Sequence, residues 1–232
     1  MRLKNIIIII SVVLLGLIYY FNIENSSTEK QISLVTEITD GDTFVLENNV
    51  KCRLRGINTP EKNMPLYETA KKFLEIETKN KRVEIENFGA DKYNRLLIYA
   101  FIDEKNINKL ILKNGLAHLY YYDKDKYFDE LEEAEKFARE NEFGIWKKSN
   151  ISYCIELIEF DYISDGGEKI VLENNCDFNI EVILKDEATH IYFETLNATS
   201  QFEKSFEHIF NDDGDTLFVW DECGRLILFR RY

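Results

Sequence analysis

Residues 33–57 read SLVTEITDGDTFVLENNVKCRLRGI, and this stretch constrains the chain more than any other. Apolar side chains alternate with polar ones, and Asp-Gly and Asn-Asn interrupt the alternation at short intervals. A period of two with such breaks predicts three strands joined by tight turns, a meander rather than a helix. The periodicity changes to helical at PLYETAKKFLEIE, where Leu66, Ala70, Phe73 and Leu74 fall on one face. It returns to strand at RVEIENF and RLLIYAFI. A short helix NINKLILKNG ends on Gly115, a good residue just past a helix end. LAHLYYY reads as extended and YFDELEEAEKFAREN as a second surface helix. This order predicts a five-stranded Greek-key barrel with about three helices, mainly β with α. From residue 150 only strands follow, YCIELIEF, EKIVLEN, IEVILKD, THIYFET, DTLFVWDE and RLILFRRY, which predict an antiparallel sandwich.

Charge separates the two parts. Residues 32–150 carry 20 basic and 22 acidic side chains, whereas residues 151–232 carry six and 18. A repelling field of that kind excludes the tail as a nucleic-acid surface and leaves the nearly neutral first part free to bind one. The predicted division is 1–22 as a hydrophobic helix, 23–31 as a tether, 32–149 as the barrel and 150–232 as the sandwich. Arg2 and Lys4 precede the apolar run Ile6 to Phe21, and no small-residue cleavage site follows. An uncleaved signal anchor is therefore favoured over a removed signal peptide, and either one exports the remainder. Four cysteines in no CxxC pattern argue against zinc. Cys52 reads as a core thiol, and Cys176 with Cys223 as the favoured disulfide.

The chemistry concentrates in DGDTFVLENNVKCRLRGINTPEKNMP. Asp42 opens a strand at a turn and Arg53 lies on the third strand. Glu61 sits between Pro60 and Pro65, which are both of the chain's prolines. A rigid loop around one carboxylate suits a positioned base. Arginine forks match phosphate oxygens and stabilise growing charge, a hard cation neutralises phosphate, and a carboxylate takes a proton from water. Each fragment alone is more often a turn, a helix entry or a solvated charge; order and spacing together carry the reading.

TDGDTFVL, CRLRGINTPE, DKYNRLLIYAF, INKLILKNGLAHLYYY and FGIW resemble, in order, the motifs of the thermonuclease (staphylococcal-nuclease-like) family across roughly residues 33–148. The resemblance implies an OB-fold barrel and a calcium-dependent endonuclease acting on DNA and RNA and leaving 5′-hydroxyl and 3′-phosphate ends. It places catalysis on Arg53, Glu61 and Arg95, and calcium on Asp42, Asn58 and the Thr59 carbonyl. Nucleotide contacts fall to Lys92, Tyr93 and Tyr121. Asn58 stands where the family has an aspartate, so weaker calcium binding is expected, and tighter binding for Asn58→Asp. Asn94 replaces a glycine and tolerates the left-handed backbone that position needs. The tail resembles the lamin-tail domain, a small immunoglobulin-like sandwich, in which the second DGDT, around Asp215, is a turn without a catalytic role. The expected partners are nucleic acid at the barrel, a membrane at the N-terminus and an unknown protein or surface at the tail, with the chain a monomer. The competing reading is a non-catalytic nucleic-acid-binding or scaffold protein, for which Asn58 is the main argument.

Overall fold

Alternation and turn chemistry produce the meander. In the computed structural model, which describes residues 31–121, 123–163, 167–212 and 214–232, β1 (Gln31–Asp40), β2 (Thr43–Leu46) and β3 (Lys51–Leu54) are antiparallel neighbours. The expected N-terminal anchor lies outside the described residues. Register shifts along β1 move the buried positions from the Val35 phase to Ile38, as an irregularity in a ladder must. β5 (Arg82–Ala90) pairs with β1, and β6 (Leu96–Ile102) pairs with β5. In sequence order β4 (Ile57–Asn58) precedes these two strands, and β7 (Lys105–Asn106) and β8 (His118–Leu119) follow them. The parallel pairing Cys52↔Leu96, Arg53↔Leu97 and Leu54↔Ile98 joins β3 to β6 and closes five strands into a barrel. Closure leaves no open edge among those five. Phe44, Leu54 and Ile98 fill its interior with Leu74 of α1 (Tyr67–Thr78) and Ile111 of α2 (Ile107–Lys113). α3 is Phe128–Glu140, with Leu131 and Ala134 on its buried face.

The tail folds as expected into an antiparallel sandwich, with one strand more than the alternation revealed. β9 (Ile155–Asp161), β10 (Glu168–Asn174) and β13 (Ser200–Phe206) form one sheet in the order β13-β10-β9. β11 (Ile180–Lys185), β12 (Ile191–Leu196), β14 (Thr216–Asp221) and β15 (Leu226–Arg231) form the other, in the order β12-β11-β14-β15. The additional strand is β13, SQFEKSF, an edge strand that pairs only with β10 and stays largely polar, so it carries little apolar signal. The expected Cys176–Cys223 disulfide is corrected: Cys154 pairs with Cys176, and Cys223 is an exposed thiol. Cys154 enters the sandwich core on the turn before β9, whereas Cys223 sits in the β14–β15 turn outside it. Cys52 is buried, as expected, and burial pushes its thiol up to about 12.

β14 is buried along its whole length. Leu217 and Val219 face the sandwich interior, and Phe218 and Trp220 face the barrel, where they join Ala138, Ile145 and Trp146 in an apolar cluster. An apolar run without alternation is the pattern of a strand covered on both faces. Polar contacts reinforce this seam. Trp220 Nε1 donates to the Ile145 carbonyl at 2.9 Å, Ser149 Oγ to Asp221 at 2.7 Å, and Arg231 to both Glu135 oxygens at 2.7 and 3.1 Å. The tail is therefore packed onto the barrel, not held away from it as a spacer.

Candidate active site

The Asp40-Gly41-Asp42 turn joins β1 to β2 and presses against the barrel's helical cover. A Cβ at Gly41 would lie 2.8 Å from both Ala70 Cβ and Thr59 Oγ1, so the close approach requires glycine. Asp42 is 2% exposed. Its Oδ1 accepts from Arg53 Nη1 at 2.7 Å and from Thr43 Oγ1 at 2.8 Å, and its Oδ2 has a longer contact with the Thr59 amide at 3.4 Å. The Thr43↔Arg53 register between β2 and β3 places the arginine there. Burial works against the charge on Arg53, yet Asp42, Asp40 and Glu61 hold it above the ordinary arginine range. The same guanidinium donates through Nη2 to Asn58 Oδ1 at 2.9 Å and, at 3.4 Å, to the Ile57 carbonyl.

Glu61 follows β4 on the two-proline loop. Burial, and then the charge of Asp42, raise its carboxyl above the ordinary range, while Lys185, Arg53 and Arg95 pull it back. Asp40 is pushed up to about 6 by burial and by its neighbour Asp42. Arg95 lies at the entrance of β6, bound through Nε and Nη2 to Asp91 at 2.7 and 2.6 Å. Asn94 has φ of 60°, the left-handed conformation expected for it. Asp42, Arg53, Asn58, Thr59 and Glu61 thus gather in one place, with Arg95 close enough for its charge to act on Glu61.

The three residues expected to contact nucleotide divide. Tyr93 is exposed at the β5–β6 hairpin tip, with Lys92 Nζ 5.2 Å and Arg95 Cζ 5.4 Å from its ring centre. Tyr121 is not at that tip. Its hydroxyl bonds Tyr99 and contacts Asp125 at 3.3 Å, and a Cβ at Gly56 would lie 2.6 Å from its ring. Arg55 reaches the same Asp125 at 2.9 Å. Tyr121 is built into the barrel wall, and burial pushes its hydroxyl up to about 12.

Asn58 departs most from expectation. It is 2% exposed, its carbonyl serves Arg53, and its Nδ2 donates to the carbonyls of Glu187 and Ala188 at 3.1 and 2.8 Å. Two participants escaped the sequence reading. Asp40 shares the turn motif with Asp42 and could have been found there. Lys185 ends a sandwich strand, 2% exposed, and nothing in IEVILKD signals that its charge would act on Glu61. Among the described residues no three His, Cys, Asp or Glu side chains form a ready metal cage.

A closed barrel carrying a buried Asp–Arg pair beside a proline-framed glutamate defines a nuclease-type OB fold, here joined to a β-sandwich. Residues 51–148 match the family described as staphylococcal nuclease homologue. The chain is 30% identical to a thermonuclease of Staphylococcus intermedius over 61% of its own length and 96% of the relative's. It is 30% identical to an uncharacterized endonuclease of Haemophilus influenzae, over 60% of this chain and 80% of that one. With endonuclease YncB of Bacillus subtilis the identity is 31%, over 54% and 67%. The chain belongs to the thermonuclease (staphylococcal-nuclease-like) family and is an endonuclease, with nucleic acid as its substrate.

Proposed function

We propose that the protein hydrolyses phosphodiester bonds of DNA or RNA with the help of calcium, on the outer side of the membrane its N-terminus addresses. Glu61 takes the proton of the attacking water, and a carboxyl raised by burial is a better base near neutrality than an ordinary one. Arg53 and Arg95 hold the phosphate and stabilise the charge that grows on it. The carrying observation is Arg53, charged at 2.7 Å from buried Asp42 while its field reaches Glu61.

The residues fit a hard cation at the turn. Burial, and then the nearby charge of Asp42, raise the Asp40 carboxyl to about 6, and a cation would relieve the repulsive part. Asp42 Oδ2 has a long contact with the Thr59 amide at 3.4 Å and lies beside Asp40, so it can serve as a ligand. Asp40, Asp42 and the Thr59 carbonyl would hold the ion, which when bound would neutralise phosphate charge. The Cys154–Cys176 disulfide supports an oxidising, exported location. The antiparallel sandwich supports the lamin-tail-like reading of the second half.

The test is cleavage of single-stranded DNA by the full chain, with millimolar calcium and with chelator. Cleavage is expected only with calcium, and Glu61→Gln should lower kcat by about 10²–10⁴-fold. An intact fold that cuts nothing at millimolar calcium would favour the non-catalytic binding or scaffold reading.

A further inference from the structure

We infer that Asn58 is a positioning residue that fastens the sandwich to the catalytic arginine, making the 186–190 loop a wall of the nuclease site. The inference rests on the nuclease reading for what Arg53 does, but not for the contacts themselves.

Those contacts form one continuous chain. Asp42 holds Arg53 at 2.7 Å, Arg53 donates to Asn58 at 2.9 Å, and Asn58 donates to the Ala188 carbonyl at 2.8 Å. The buried ammonium of Lys185 donates to that same carbonyl and to the Asp186 carbonyl at 3.0 Å. The loop is built before it meets the barrel. Asp186, 1% exposed, accepts from the His190 amide at 2.9 Å and pairs with its ring at 2.6 Å. Asp215 accepts from the Glu187 amide at 2.9 Å. What this loop presents to the site is a pair of carbonyl oxygens.

Only a carboxamide meets both demands, because it accepts from the guanidinium and donates to the carbonyls. An aspartate at 58 would keep the first bond and set a charged oxygen about 3 Å from two carbonyl oxygens, which is repulsive. The asparagine that looks like a weakened calcium ligand is thus the residue type this interface requires.

The test uses the full chain, with Asn58→Asp, Asn58→Ala and Lys185→Met. Amide exchange over 186–190 and calorimetric titration with calcium need no activity; kcat and KM are read on single-stranded DNA. For Asn58→Asp, exchange in the loop should quicken about tenfold, as loss of a buried hydrogen bond implies, while calcium affinity stays within about twofold. For Asn58→Ala, kcat should fall about tenfold with KM within about twofold, since orientation rather than binding is lost. Calcium binding about tenfold tighter in Asn58→Asp, with loop exchange unchanged, would make position 58 a ligand site and overturn the inference. If Asn58→Asp does not fold, Lys185→Met decides: quickened loop exchange with lowered kcat upholds the wall, and both unchanged overturns it. A wild-type chain that cuts nothing defeats the nuclease reading, yet the exchange and calcium arms still decide the role of Asn58.

Discussion

Asp42 and Asp215 occupy the same tetrapeptide and do different work because of what surrounds each carboxylate. Asp42 meets a guanidinium. Asp215 meets the amides of Glu187, Asn211 and Thr216 at 2.9, 3.1 and 2.6 Å and the Asn211 side chain at 3.0 Å. Its role is to fold the loop that Asn58 receives, which agrees with reading the second copy as structural. Asp215→Ala leaves several buried donors unanswered and should cost roughly 2 kcal/mol in urea unfolding. Glu187 supplies a pH test. Burial, with Asp215 and Glu135 adding and Arg231 and Lys185 opposing, pushes its carboxyl from 4.5 up to about 7. A carboxyl raised in the folded state binds its proton more tightly there than in the unfolded chain. Its penalty is absent below about pH 4.5 and complete above about pH 7. Glu187→Gln should therefore be more stable than wild type at pH 8 by on the order of 1–3 kcal/mol, and about equal at pH 4, in thermal unfolding at both pH values.

At the scale of elements, the β14–β15 turn locks the loop around Glu61. Gly224, at φ of 75°, faces Pro65, and a Cβ there would lie 2.3 Å from the proline's own Cβ. The loop around Glu61 is stiffened by its prolines and clamped from the second half. Gly224→Ala should cost roughly 2–3 kcal/mol, from the positive φ and the overlap together, measurable as a lowered denaturation midpoint. The disulfide closes a separation of 22 residues between the turn before β9 and the end of β10. Replacing both Cys154 and Cys176 by serine should destabilise by about 3 kcal/mol on the loop-closure scale.

Across the whole molecule, the barrel and the sandwich share the cluster around Trp146, Phe218 and Trp220, and the Glu135–Arg231 fork spans the same seam. Glu135 also accepts from the Leu119 amide at 2.8 Å, so one carboxylate ties α3, β8 and the last strand together. Two parts joined by a buried apolar seam should unfold as a unit. Calorimetry of the full chain should show a single transition whose calorimetric and van't Hoff enthalpies agree; two separated transitions would contradict the seam. Cutting the chain after residue 149 would expose Trp146 and Ile145 and remove the carbonyls that Asn58 uses.

By itself, the sequence determined whatever depends on neighbours along the chain. The alternation and turns around residues 33–57 specified the meander, the two prolines marked the loop of Glu61, and the motif order assembled Asp42, Arg53 and Glu61. Gly115 and Asn94 were readable because a backbone at positive φ restricts residue type. Tertiary structure alone decided the pairing of Cys154 with Cys176, the second buried face of β14, the place of Tyr121 in the wall and the arrival of Lys185 and the 187–188 carbonyls. Those depend on which surfaces meet once the chain has folded, 22 residues apart for the disulfide and 129 and 130 for Asn58 with the 187–188 carbonyls, and nothing local to IEVILKD or NTPE encodes that meeting.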